Sequence, residues 1–184
     1  MPRKDLSKNK NGEYVYFIFL RYVIILVIGL GNLFVFYFIF TPPTLYLSYY
    51  ILKLFFDVSL SGIIISLGEK GVEIVKACVA GAAYYLLFML NLGIAMNWKK
   101  RILSITYSFL VLFFLNVVRI VILSSLFFTN SSAFDITHKL TWYGLSIVFV
   151  VLIWFSSVHI FKIKQIPFYD DVKYLYNIVK KSKR

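Results

Sequence analysis

A cysteine, an arginine and a histidine stand out in a sequence that is otherwise mostly apolar. Cys78 is the only cysteine, so it cannot form an internal disulfide and is either a packing residue or a nucleophile. Arg119 interrupts an apolar run, and His138 precedes the last apolar run. A thiolate nucleophile, a charge-stabilising guanidinium and a proton-carrying imidazole together would make a cysteine acyl-transfer site.

Each of the three residues has a chemical and a structural interpretation. A free cysteine is mostly protonated at neutral pH, but Cys78 begins a predicted helix, whose positive end favours the thiolate. His138 could accept the proton and return it to a leaving amine, while Arg119 could stabilise the thiolate or an oxyanion. Alternatively, Cys78 is a small packing residue, Arg119 a snorkelling side chain and His138 a solvated interfacial residue.

The composition places this chemistry in a membrane. The chain has 184 residues, of which 60% are hydrophobic and 15% charged, and its mean hydropathy is +0.80. A soluble domain of this size cannot bury that much apolar surface, so lipid must cover part of it. We expect no nucleic-acid partner despite the net charge of +12, because the basic residues cluster just outside the apolar runs, as in membrane proteins.

Four apolar runs are long enough to cross a hydrocarbon core as helices, which takes about 20 residues. They occupy residues 14–40, 77–96, 102–128 and 140–161. Lipid cannot satisfy open backbone groups, and no run alternates like a barrel strand, so the sequence predicts one all-α integral membrane domain over 1–184. No small-x-small cleavage site follows the long first run, which predicts an uncleaved anchor.

The distribution of lysine and arginine predicts the orientation in the membrane. Four of these residues lie in the N-terminal tail, three in the loop 97–101 and seven after Phe161, whereas the opposite side carries four. Both termini are therefore predicted to be cytoplasmic. The segments 41–76 and 129–139 are predicted to face outward.

In this orientation Cys78, Arg119 and His138 all lie on the outer side of the membrane. Each of them comes from a different span. At helical rise, Arg119 lies about 13 Å below the outer end of its span, and Asn116 shares its helical face. His159 lies at the inner end of the last span and cannot reach Cys78, which argues against a zinc site. The sequence indicates no metal or organic cofactor.

Segments outside the spans also have predicted structure. The motif TPP at 41–43 is expected to end the first helix, because proline cannot continue the hydrogen-bond ladder. Residues 44–56 are apolar but too short to span, which predicts an interfacial helix or re-entrant piece. β-branched residues around GEKG at 68–71 predict a small hairpin. In the cytoplasmic tail 162–184, apolar residues at helical spacing beside lysines predict an amphipathic helix on the inner surface.

Three motifs in this chain resemble those of the exosortase/archaeosortase superfamily. A Cys opens one span, Asn-x-x-Arg lies inside the next, and a His precedes the last. Here they are CVAG at 78–81, NVVR at 116–119 and DITH at 135–138, and their order, spacing and predicted sidedness agree with the family. The short length and the Phe-, Tyr- and Lys-rich composition look like those of small archaeal archaeosortases, such as the pacearchaeosortase type.

The resemblance implies a membrane-embedded cysteine transpeptidase. Such enzymes recognise a C-terminal signal of secreted surface proteins, made of a short motif, a transmembrane helix and a basic cluster. They cleave near the motif and pass the acyl group to a lipid or another acceptor. The resemblance implies that Cys78 is the nucleophile, Arg119 the charge-stabilising residue and His138 the acid/base. Many members have glycine where this chain has Ala80, and some archaeal members have arginine at the third site.

Two other functions account for part of the pattern. A non-enzymatic membrane scaffold or assembly subunit explains the hydrophobicity and the topology, but not three convergent polar residues. A small transporter could use Arg119 to line an anion path, but the sequence has no internal repeat and no pair of broken spans.

Overall fold

The computed structural model describes the backbone of residues 3–94, 96–141, 144 and 146–182, and their side chains from Val15 onward except at 179, 181 and 182. Basic side chains at the two chain ends therefore lie outside the described part: Arg3, Lys4, Lys8, Lys10, Lys181, Lys183 and Arg184. The helices are α1 Arg3–Leu30, α2 Phe34–Lys53, α3 Lys76–Val79, α4 Gly81–Leu92, α5 Trp98–Phe128, α6 Phe134–Leu140, α7 Ser146–Ile160 and α8 Tyr169–Ser182. The strands are β1 Ser59–Ser61, β2 Ile64–Leu67 and β3 Lys70–Glu73.

Five of the described helical segments are apolar, but they do not coincide with all the predicted spans. By length and composition, α2 and α5 could each cross a membrane, and α4, α7 and the segment Val15–Leu30 are shorter apolar helices. α5 contains the whole predicted run 102–128. The predicted helix at 77–96 is too long, because Ala80 interrupts it and α4 ends at Leu92. α7 lies within the predicted run 140–161.

The first predicted span is broken into two helices. Asn32 and Leu33 have φ values of 50° and 57°, a left-handed conformation that cannot continue a right-handed helix. α1 nevertheless packs along α4, where the hydroxyl of Tyr85 donates to the carbonyl oxygen of Ile25 at 3.0 Å. Gly29 permits this contact, because a Cβ there would lie 2.6 Å from the Tyr85 oxygen.

The expectation that residues 41–43 end a helix is wrong. α2 continues through both prolines to Lys53, so the segment 44–56 is mainly its distal half rather than a separate interfacial helix. Leu45 and Leu52 of this half are buried in one cluster with the sheet and the end of α5. This non-local packing offsets the hydrogen bonds that the prolines remove.

An aromatic cluster fills the centre of the helical bundle. Phe40 of α2 stacks on Tyr84 of α4 with ring centroids 3.8 Å apart, and Tyr84 is fully buried. Phe109 of α5 meets both rings edge-on. Such pairs add to the free energy of apolar burial, so the cluster joins α2, α4 and α5.

A seam of hydroxyl and amide groups joins α4, α5 and α7 farther from Cys78. The Ser104 hydroxyl lies 2.5 Å from the side-chain oxygen of Asn91 and 2.7 Å from the Ser157 hydroxyl. The hydroxyls of Tyr107 and Ser156 form a second bond between α5 and α7. Polar groups in an apolar bundle need internal partners of this kind.

A three-stranded antiparallel sheet covers the distal ends of α2 and α5. A turn at Gly68, with φ of 59°, joins β2 to β3 where the sequence predicts a hairpin, and β1 adds a third strand. Ile65 of β2 is fully buried in the same apolar cluster as Phe128 of α5. Lys70 donates to the carbonyl oxygens of Phe127 and Phe128 at 3.3 and 2.7 Å, which satisfies open carbonyls at the end of α5.

A buried ion pair connects the C-terminal helix to the other end of the bundle. Nη2 of Arg21 lies 2.6 Å from Oδ2 of Asp171, and the two side chains are only 8% and 2% exposed. The Tyr22 hydroxyl donates to the same carboxylate at 3.2 Å. α8 occupies the predicted position of a tail helix and exposes apolar residues, among them Val172 and Tyr176.

We predict that Asp171→Asn destabilises the protein, because it leaves the Arg21 guanidinium buried without its counter-charge. Removing one partner of a buried pair costs about 3–5 kcal/mol. The measurement is the free energy of unfolding in detergent. The matched control is Asp170→Asn, which alters a neighbouring carboxylate that accepts a hydrogen bond from the Ile166 amide. Equal losses in both variants would contradict a special contribution from the ion pair.

Candidate active site

Cys78 and Arg119 line one cavity between α3, α5 and β3. Its volume is about 220 Å³, and its walls are mostly apolar: Val72, Ile74, Ile120, Leu123, Phe127 and Phe134 contribute to them. Cys78 is partly exposed, and its Sγ lies 4.0 Å from the carbonyl oxygen of Glu73. The thiol is therefore accessible from a small apolar cavity that also contains a guanidinium.

A sharp bend in the backbone holds Cys78 at this cavity. α3 is a single turn that ends at Ala80, whose φ and ψ of 59° and 39° are left-handed, and α4 begins at Gly81. A Cβ at Gly81 would lie 2.6 Å from two carbons of the Tyr37 ring. The bend and this close approach of α2 fix the direction of α3, which carries Cys78, relative to α4.

Two side chains of α5 bind the backbone carbonyl oxygen of Cys78. Nδ2 of Asn116 donates to it at 2.7 Å, and Nη2 of Arg119 donates at 3.3 Å. Carbonyls in the last turn of a helix lack intrahelical partners, so α5 supplies the donors that α3 does not. Nε of Arg119 is buried and has no hydrogen-bond partner in the described part of the chain.

Ser146 connects Arg119 to the helix that carries His138. Nη1 of Arg119 donates to the Ser146 hydroxyl oxygen at 3.1 Å, and that hydroxyl donates to the carbonyl oxygen of Thr141 at 2.9 Å. The Thr141 hydroxyl in turn donates to the carbonyl oxygens of Thr137 and His138 at 2.8 and 3.0 Å. These bonds fix the end of α6 relative to Arg119.

His138 lies at the margin of the site. Its side chain is exposed, and its imidazole stacks on the ring of Phe134 with centroids 5.5 Å apart and planes 5° from parallel. Phe134 lines the cavity, whereas His138 is not among the described residues that do. The structure brings Cys78 and Arg119 together and leaves His138 stacked on a residue of the cavity wall.

Sequence reasoning identified only part of this arrangement. Asn116 has a usable signal, because it lies one turn from Arg119 on the same helical face. Ser146 and Thr141 have none, since a hydroxyl near the start of an apolar run is common. Phe134 is one of 19 phenylalanines, so its position beside the site is not evident without the fold.

Comparison with known families identifies the fold family. The family model described as transmembrane exosortase matches residues 13–155, which is more than half of the chain and includes Cys78, Arg119 and His138. The chain belongs to the transmembrane exosortase family. Members of this family are in general membrane-embedded cysteine transpeptidases that act in protein sorting. Neither a curated protein nor a solved structure matches this exosortase significantly.

The bend after Cys78 places a residue with a Cβ, Ala80, in a conformation that favours glycine. This residue is left-handed here, a conformation that costs an L-residue with a Cβ roughly 1–2 kcal/mol. Glycine adopts it without that cost. Ala80 therefore holds this turn under backbone strain.

We predict that Ala80→Gly stabilises this exosortase, because relief of the left-handed strain exceeds the added backbone entropy of about 0.5–1 kcal/mol. Denaturation in detergent measures the free energy of unfolding. The matched control is Ala83→Gly within α4, which should lose stability, since a helical alanine gains nothing from the change. A loss of stability in both variants would contradict a left-handed Ala80.

Proposed function

We propose that this protein is a membrane-embedded cysteine transpeptidase of archaeosortase type. It would cleave the C-terminal sorting signals of secreted surface proteins and transfer them to a lipid or another acceptor. The observation that carries the proposal is the cavity shared by Cys78 and Arg119, which offers a nucleophile and a fixed positive charge to one carbonyl group. A scaffold protein would need neither an accessible thiol nor a guanidinium beside it.

The length of α5 supports a site near the outer membrane boundary. The eighteen positions from Arg101 to Arg119 span about 27 Å at helical rise, close to a hydrocarbon core of roughly 30 Å. Ile120 and Phe128 pack in the cluster that includes the sheet, so the last turns of α5 would project beyond the lipid. Arg119 would then lie near the boundary rather than well below it.

The distribution of basic residues supports the orientation of this site. The basic loop before α5 lies at the end of the bundle opposite Cys78, together with the tail that leads into α8. With four crossings, made by α1 and α2 together, α4, α5 and α7, both termini would be cytoplasmic. Cys78 would face outward, where secreted surface proteins are accessible.

In the proposed reaction, the Cys78 thiolate adds to the carbonyl carbon of the scissile peptide bond. The resulting oxyanion is stabilised by Arg119, whose guanidinium is already held by Cys78 and Ser146 and needs little reorganisation. The C–N bond then breaks, the amine leaves with the proton that the Cys78 thiol had lost, carried by His138, and the acyl group remains on sulfur as a thioester. An acceptor hydroxyl, amine or water attacks the thioester, the C–S bond breaks, and the acceptor's proton passes to the departing thiolate.

We predict that Cys78→Ala and Cys78→Ser abolish processing, since neither side chain supplies a thiolate. The measurement is the mobility of a co-expressed surface protein that ends in a motif, an apolar helix and a basic cluster. Ser125→Ala is the control, because its hydroxyl bonds the Val121 carbonyl within α5; it should process normally. Processing that persists in the Cys78 variants, with membrane insertion intact, would reject the enzyme and favour a scaffold.

The two histidines of the chain form a matched pair for testing proton transfer. We predict that His138→Gln slows processing by about 10²–10⁴-fold, the usual contribution of a general acid/base. His159 lies in the last turn of α7, at the far end from Ser146 and Arg119, so His159→Gln should process at the wild-type rate. Equal rates in the two variants would exclude His138 as the proton carrier without affecting the assignment of Cys78.

A further inference from the structure

A second cavity lies at the end of the bundle opposite Cys78. It has a volume of about 410 Å³ and lies between α1, the start of α5 and the segment that leads into α8. Arg21 and Arg101 line it, and both residues are buried. Apolar and aromatic residues form much of the remaining wall, and two amide side chains complete it: Phe17, Ile18, Met96 and Trp98, with Asn97 and Gln165.

Protein contacts fix both guanidinium groups at this cavity. Arg21 and Arg101 each donate to the carbonyl oxygen of Ile94, at 2.8 and 2.6 Å. Arg101 also lies over the Trp98 ring, 4.9 Å from its centroid. Two converging guanidinium groups in a concave site favour an anion with several oxygens.

One donor of Arg21 has no partner among the described residues. Asp171 binds its Nη2 and Ile94 its Nη1, but Nε is buried and has no hydrogen-bond partner in the described part of the chain. A buried N–H group without an acceptor is costly. A ligand that shifted the Arg21 side chain so that Nε met one of its oxygens would remove that cost.

We propose that this cavity binds the phosphate group of an anionic lipid. Guanidinium groups match phosphate oxygens, and the apolar wall residues suit the glycerol and upper acyl region. Trp98 is 55% exposed, and tryptophan is enriched at the headgroup level of membranes. A soluble phosphate compound would share the anion chemistry, but the position at the end of a transmembrane bundle favours a lipid. The proposal does not depend on the activity of Cys78.

The test uses the full-length protein in detergent, with three probes: phosphatidylglycerol, phosphatidylcholine and inorganic phosphate. Native mass spectrometry measures retained lipid, and thermal unfolding measures protection by each probe. Gln165 is an exposed loop residue that lines the cavity. Gln165→Glu therefore adds a carboxylate that repels an anion without removing a contact that holds the fold. Gln165→Ala controls for the lost amide, and Ser132→Glu adds the same charge at the opposite end of the bundle.

Selective retention of phosphatidylglycerol is expected, with binding weakened at least about tenfold in Gln165→Glu by like-charge repulsion and nearly unchanged in both controls. Inorganic phosphate that protects as well as phosphatidylglycerol would overturn the lipid assignment in favour of a soluble phosphate compound. Equal retention of the two lipids would overturn the proposal. So would unchanged phosphatidylglycerol binding in Gln165→Glu.

Discussion

The carbonyl oxygen of Cys78 is the acceptor on which the arrangement of the site depends. The left-handed Ala80 ends the helical turn that carries it, so the carbonyl needs donors from elsewhere in an apolar environment. Asn116 and Arg119 supply them, which fixes the nucleophile to α5. Because Arg119 also binds Ser146, the same interaction fixes the start of α7. One interrupted helix thus determines how three elements meet.

The predictability of the fold follows the balance between local and non-local interactions. An uninterrupted apolar run leaves few alternatives to a long helix, so the predicted 102–128 lies within α5. The two prolines in α2 give a strong local signal, yet burial of Leu45 and Leu52 against the distal sheet outweighs it. The break at Asn32 and Leu33 has only a partial signal in the sequence. Asparagine adopts a positive φ more readily than most residues, but leucine has no such preference.

The same balance applies to the site. Cys78 and Arg119 could be paired from the sequence. In two consecutive antiparallel helices, the start of the first lies at the same end of the bundle as the end of the second. The sequence also predicts that His138 lies at that end, but it does not predict the distance between the imidazole and the thiol. Its place depends on the rotation of the short helix α6, which the bonds through Thr141 and Ser146 fix relative to Arg119. Stacking on Phe134, one turn earlier on the same helix, then orients the imidazole. The bonds through Ser146 have no pattern in the sequence.

The contacts of Arg119 also explain why a guanidinium suits this position better than an ammonium. Two terminal nitrogens point at two acceptors on different elements, Cys78 and Ser146, and the planar fork holds both directions at once. Nε remains on the same rigid plane and is buried without a partner in the described part of the chain. A lysine has one nitrogen on a flexible stem, so it could not hold both acceptors with the geometry of a fork. Positive charge alone would therefore not reproduce the arginine, because its position relative to Cys78 comes from the fork.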